Sequence, residues 1–113
     1  MHELSIVMSI IDIAAEQAKK AGADVVDEID LEIGQISGVE MGAFEFAWQQ
    51  AIKGTLLANS KLNIQRTEGK AQCLDCSTEY PMENLYDVCP QCNSQFHQIL
   101  SGKGLRVKSL IVP

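Results

Sequence analysis

The chain has 113 residues, 46% of them hydrophobic, and a formal net charge of −6. That length supports one globular core with a small appendage, and the acidic balance argues against a nucleic-acid partner, whose phosphates are held by Lys and Arg. The apolar stretch Leu4–Ile13 is interrupted by Ser5, Ser9 and Asp12, lacks a basic lead-in and falls far short of the ~20 apolar residues of a membrane span. The expectation is a cytoplasmic protein with no signal peptide and no membrane partner.

In chain order, Leu4, Val7, Met8, Ile11, Ala15 and Ala18 recur at three-and-four spacing. They predict a first helix with that face apolar, Glu16, Gln17, Lys19 and Lys20 in water, and Gly22 as its stop. Residues 26–33 then alternate, with Ile29, Leu31 and Ile33 on one side and Glu28, Asp30 and Glu32 on the other, as in a half-buried strand. Gly34 to Gly38 makes a turn. A second helical pattern runs from Val39 to Lys53, carrying Phe44, Ala47, Trp48, Ala51 and Ile52 on its apolar face and closed by Gly54. Leu62, Ile64 and Arg66 give a second strand. From residue 70 to about 100 turns dominate, with short extended stretches at Thr78–Pro81 and Phe96–Leu100. Leu105, Val107 and Ser109 then alternate against Arg106 and Lys108 and lead into Leu110-Ile111-Val112. That strand is too apolar to dangle, so it is expected to rejoin the strands of the first half. The fold class expected is α+β: two helices packed on a small three-stranded sheet, with an inserted domain that is zinc-ribbon-like for its four cysteines, Cys73, Cys76, Cys89 and Cys92. The bounds are 1–69 and 104–113 for the α/β part and 70–103 for the insertion.

The four cysteines fall in two matched pairs, Cys73-Leu74-Asp75-Cys76 and Cys89-Pro90-Gln91-Cys92, with twelve residues between them. Each pair can form a knuckle that aims two thiolates at one centre, and two knuckles give the four sulfurs that tetrahedral structural zinc prefers. Some thirty turn-rich residues bury too little surface to fold alone, which makes a metal the natural staple. A rubredoxin-type iron centre would use the same thiolates, because sulfur ligands alone do not separate the metals. A thioredoxin-like redox pair fits less well, since neither pair opens a helix after a buried strand.

At the other end stands Met1-His2-Glu3. Methionine is normally retained before a residue as bulky as histidine. The Met1 amine, the His2 amide nitrogen and the His2 imidazole Nδ1 can then chelate one ion in adjoining rings, with Glu3 able to supply a fourth donor. Such nitrogen donors favour square-planar Ni(II) or Cu(II). A plain surface histidine at a frayed end has the same atoms.

Met1-His2-Glu3, an amphipathic helix, a strand ending in Ile33-Gly34 and Cys-x2-Cys-x12-Cys-x2-Cys together resemble the HypA/HybF family of nickel metallochaperones. Further similarities are Val39-Glu40 to Phe46-Ala47, Lys53-Gly54-Thr55 and Leu105-Arg106-Val107-Lys108-Ser109-Leu110, so the match runs through essentially the whole chain. The resemblance implies a nickel site at Met1, His2 and Glu3, and a zinc site at Cys73, Cys76, Cys89 and Cys92. It also implies a role in [NiFe]-hydrogenase maturation. The implied partners are a HypB-like GTPase and the hydrogenase large-subunit precursor, with nickel passed by ligand exchange. Some relatives carry histidines beside the zinc cysteines; here Ser77 and Asn93 follow the pairs.

The remaining candidates have plain readings beside the functional ones. His97 reads as a solvated strand residue more readily than a ligand, and Glu40 as a possible further nickel ligand that sequence alone does not place. Glu28, Asp30 and Glu32 read as a solvated strand face able to steer a basic partner. No Ser-His-Asp set or Gly-rich phosphate loop is present, so the chain is not expected to be an enzyme. The competing account is a zinc-ribbon adaptor or nucleic-acid module in which the N-terminus plays no part.

Overall fold

The structure, a computed structural model, describes residues 3–113. It is α+β, as expected: α1 (Glu3–Lys20), β1 (Glu28–Gly34), α2 (Met41–Ala51), β2 (Lys61–Thr67), β3 (Lys70–Cys73), β4 (Glu79–Pro81), β5 (His97–Ser101) and β6 (Leu105–Ile111). One three-stranded sheet has the order β2-β1-β6 and the other β4-β3-β5. The last strand does return to pair beside the first.

The chain divides into two compact units. The first comprises the described residues up to Leu31, Val39–Ile64 and Val107–Pro113; the second comprises Glu32–Gly38 and Gln65–Arg106.

In the first unit, α1 buries Val7, Ile10, Ala14 and Ala18. The expected face is corrected: Leu4 and Met8 are 56% and 50% exposed and Ala15 is exposed. Two interleaved three-and-four series run along this helix, and a 3.6-residue period cannot decide between stripes about one position apart. Lys19 and Lys20 oppose the negative end of the helix dipole. Gly22, at φ +71°, lets the Ala23 N–H reach the Ala18 carbonyl and its own N–H reach that of Lys19, a Schellman stop. The helix α2 begins later than its apolar pattern because Glu40 caps it: at φ −83° its carboxylate accepts from the Gly42 and Ala43 amides at 3.0 and 2.6 Å. Phe44 and Trp48 are buried, with ring centroids 6.1 Å apart.

The strand β1 is central in its sheet. Ile29, Leu31 and Ile33 are fully buried, as the alternation predicts. The carboxylates on its other face are tied across the sheet. Glu28 meets Lys61 at 3.9 Å, Asp30 accepts from Asn63 Nδ2 at 2.8 Å and Ser109 Oγ at 2.6 Å, and Glu32 meets Arg106 Nη2 at 3.0 Å and Thr67 Oγ1 at 3.0 Å. With Glu28 and Glu32 paired to cations and Asp30 held by neutral donors, the row is a sheet-stabilising ladder. Ser109 therefore sits opposite to its expected side. Lys108 and Ser109 are both exposed, and the inward phase resumes at Leu110 and Val112, because the hydroxyl gains a carboxylate partner while Leu110 takes the apolar position.

In the second unit, β3 is central. Ala71 pairs with Tyr80 and Gln72 with Glu79 on one side; Ala71 pairs with Ile99 and Cys73 with His97 on the other. Its core is Ile36, Ala71, Cys73, Tyr80, Met82 and Cys89, with Ile99 packed against it. Ile36, read from sequence as part of a turn, is thus a core residue. Gly34, Gly69 and Gly102 allow backbones to touch within this unit. A Cβ on Gly34 would overlap the Gly102 carbonyl, and Gly102 itself, at φ +87°, stands against Gly69 and the Glu68 carbonyl.

Candidate metal centre

The two Cys-x-x-Cys segments fold as near repeats of one another. In the first, the Ser77 N–H donates to the Cys73 carbonyl at 3.0 Å and the Cys73 N–H to the Thr78 carbonyl at 2.9 Å. In the second, the Asn93 N–H donates to the Cys89 carbonyl at 2.8 Å and the Cys89 N–H to the Ser94 carbonyl at 3.1 Å. Ser77 and Asn93 occupy the left-handed region at φ 63° and 61°, the kink that turns each chain back after its second cysteine. The Asp75 and Cys76 amides point at Cys73 Sγ, at 3.4 and 3.5 Å.

These knuckles bring Cys73, Cys76, Cys89 and Cys92 together, with all four Sγ atoms within 4.8 Å of one another. Cys73 to Cys92 and Cys76 to Cys89 are both 3.6 Å apart. A disulfide would need ~2.05 Å. Four sulfurs at ~2.3 Å from one tetrahedral ion lie about 3.8 Å apart, so the group has the dimensions of a tetrathiolate metal cage. Cys73 and Cys89 are buried, Cys76 and Cys92 exposed, giving the centre a dry side and a wet side.

The thiols divide electrostatically. Hydrogen bonding to Thr78, first through its side chain and then its backbone, lowers Cys76 to about 6. Cys92 is pushed up to about 12: a hydrogen bond with the Ser94 backbone opposes the rise, but the sulfurs of Cys76, Cys73 and Cys89, together with burial, outweigh it. Crowded thiols cannot all ionise without a cation among them, and a cation removes that obstacle. Tyr80 is raised as well, by burial and then by the Cys89 and Cys73 sulfurs, and its buried hydroxyl has no hydrogen-bond partner among the described residues.

His97 lies directly across the β3–β5 ladder from Cys73, nearer the centre than its spacing from the knuckles implies. Among the described residues, the group that closes on one point nonetheless consists of the four cysteines alone. Thr78 and Ser94, which bond to the sulfurs or their backbones, escape a reading of ligand types; their only sequence signal is their place two residues beyond each pair.

Of the N-terminal candidates, Met1 and His2 lie outside the described residues. Glu3 opens α1, and its Oε2 accepts from the Glu40 N–H at 3.3 Å. Residues 3 and 40 are therefore neighbours, with the Glu40 carboxylate turned to the first amides of α2.

Residues 1–112 match the family model described as HypA, hydrogenase/urease nickel incorporation, metallochaperone. The chain belongs to the HypA family. It is 49% identical over 112 residues to the hydrogenase maturation factor HypA of Parabacteroides distasonis, covering 99% of this chain and 97% of that protein. The factor of the same name from Geobacter metallireducens is 39% identical over 112 residues, covering 99% of each chain. Among solved structures, the Ni metallochaperone HypA from Helicobacter pylori superposes with a TM-score of 0.71 at 30% identity, over 99% of this chain and 97% of that one. The four-thiol cage thus sits in a nickel metallochaperone of hydrogenase maturation, and its geometry is consistent with structural zinc. Among the described residues, no helix is long and apolar enough to cross a membrane.

Proposed function

We propose that this HypA-family chain carries Ni(II) at its N-terminus and holds zinc at Cys73, Cys76, Cys89 and Cys92. Nickel would be bound by the Met1 amine, the His2 backbone and imidazole, and Glu3. The observation that supports the zinc assignment is the pair of 3.6 Å sulfur separations, close to the edge of a tetrahedral cage. Zinc there would fix the two knuckles and neutralise thiolates that otherwise oppose one another. For nickel, the support is a family match that includes Met1-His2-Glu3, together with a Glu3 carboxylate anchored at the start of α2.

In this reading residues 1–69 and 104–113 form the nickel-binding part and 70–103 the zinc-binding part. The chain catalyses no bond change of its own. It passes nickel by exchange of ligands to a HypB-like GTPase or to the hydrogenase large-subunit precursor, in the cytoplasm. An open-chain amine, amide and imidazole chelate suits a carrier, since its donors can leave one at a time.

The test is calorimetric nickel titration of untagged, zinc-loaded protein beside a form with one glycine added before Met1. One nickel bound by the native form and none by the extended form is the expected result. Equal binding by both would move the site elsewhere, and binding by neither would favour a zinc-ribbon adaptor. Metal analysis of the purified protein, with one zinc per chain expected, tests the cage separately; visible absorbance from ferric tetrathiolate would replace zinc with iron.

A further inference from the structure

Leu74 and Phe96 are among the large apolar side chains that the metal-binding unit exposes. Leu74, inside the first knuckle, is 62% exposed, and Phe96, four residues beyond the second, is 70% exposed. They are neighbours, because the Leu74 N–H donates to the Phe96 carbonyl at 2.9 Å. Polar contacts fix the same patch: Ser94 Oγ donates to Asp75 Oδ2 at 2.5 Å and accepts from the Phe96 N–H at 3.1 Å. The Asp75 N–H in turn points at Cys73 Sγ. These hydrogen bonds join the segments that carry Leu74, Asp75 and Phe96. Exposed apolar side chains that cluster on a folded surface mark contact sites.

Charge selects the occupant. Between Lys70 and Lys103 the chain carries Asp75, Glu79, Glu83 and Asp87 and no lysine or arginine. Lys70 pairs with Glu79 at 3.3 Å, whereas the Asp87 carboxylate is held by the neutral amides of Glu83 and Asn84. A divalent ion on four thiolates adds two further negative charges. A second copy would bring the same acidic patch and be repelled. We infer that the Leu74–Asp75–Phe96 patch is a docking site for a basic segment of a partner protein. Its apolar anchor would sit against Leu74 and Phe96 while Lys or Arg meets Asp75 and the acidic field around it.

The test is selection from a random peptide library on the zinc-loaded full chain. Enriched peptides are expected to set Lys or Arg beside a large apolar residue and to bind more weakly as salt rises. They should lose about tenfold or more in affinity against Leu74→Ser/Phe96→Ser, the loss typical of truncated anchors. Zinc content and the amide spectrum confirm that this variant folds. Should it not, Asp75→Asn keeps an acceptor for Ser94, and it is expected to weaken binding several-fold with a shallower salt dependence. Peptides without basic residues, affinity unchanged in both variants, or no enrichment at all would overturn the assignment. So would a dimer of the native chain that the double variant abolishes, because the occupant would then be a second copy.

Discussion

Gly22 and Gly102 share a left-handed backbone but differ in what surrounds them, and alanine substitution separates the two effects. At Gly22, φ is +71° and nothing lies within 4 Å of an added Cβ. Gly22→Ala should therefore cost only the dihedral penalty, ~1–2 kcal/mol. At Gly102, φ is +87°, and the same Cβ would lie 2.5 Å from the Gly69 Cα, 2.8 Å from the Glu68 carbonyl oxygen and 2.8 Å from the Gly69 nitrogen. All three are backbone atoms and cannot rotate away. They are also held in place: Ser101 Oγ donates to the Glu68 carbonyl, the Ile36 N–H to Gly102 and the Met82 N–H to Gly69. Gly102→Ala thus adds a forced backbone shift, of the order of overpacking at 1–3 kcal/mol, to the same dihedral term. The expected total is about 2–5 kcal/mol. Urea unfolding of the zinc-loaded variants, with amide exchange to locate the loss, reads the difference. Near-equal losses for the two substitutions would refute the backbone contact of Gly102 with Gly69 and Glu68.

The left-handed knuckle residues predict that Ser77→Gly slows loss of metal to a chelator, with up to ~1 kcal/mol of stabilisation. Asn93→Gly should change little, since Asn tolerates this region. Phe44→Ala should cost about 3–5 kcal/mol in thermal or urea unfolding because its ring is fully buried. Phe46→Ala, at 66% exposure on the same helix, should stay within about 0.5 kcal/mol. Asp30 is lowered below its ordinary 3.8 by hydrogen bonds from Ser109 and then Asn63. Its folded form therefore favours the carboxylate. The stabilisation is fully present above that ordinary value and is lost as pH falls through the lower folded one, so Asp30→Asn should flatten the acid limb of a urea-midpoint profile. At pH 7, zinc uptake should release protons, because Cys92 stands near 12 before metal binds; calorimetry in buffers of different ionisation enthalpy measures them.

Much of this architecture is legible in sequence where one signal dominates. The alternation of β1 is unambiguous because Ile29, Leu31 and Ile33 are buried on one face and charged residues fill the other. The cysteine spacing is as clear, since only two tight turns can bring four such residues to one point. Reading fails where two signals compete or a signal is short. The helix α1 carries two adjacent apolar stripes, and tertiary packing chose Val7, Ile10, Ala14 and Ala18. The strand β3 is four residues long and ends in a metal-site cysteine, so its alternation shows only when Cys73 is counted as buried and apolar. Ser109 left its phase for a carboxylate 79 residues away, a partner no local pattern could name. Glu40 shows the same limit from the other side: as a candidate ligand it was a matter of residue type, whereas its position at the mouth of α2 makes it a cap.

That cap bears on how the proposed carrier site works. The Glu40 N–H holds Glu3 Oε2, while the Glu40 carboxylate satisfies two of the otherwise unpaired amides of α2. A nickel ion drawing on the Glu40 carboxylate would uncap α2, at a cost of about 0.5–2 kcal/mol. Nickel using only the first three residues would leave the cap intact. The two arrangements differ in the Gly42 and Ala43 amides, which exchange faster on metal loading in the first and are unchanged in the second. Glu40→Gln retains an acceptor for one amide but is a poorer donor to metal. Unchanged nickel affinity in that variant would confine the site to residues 1–3, and a marked loss would make Glu40 a ligand that trades helix capping for cargo.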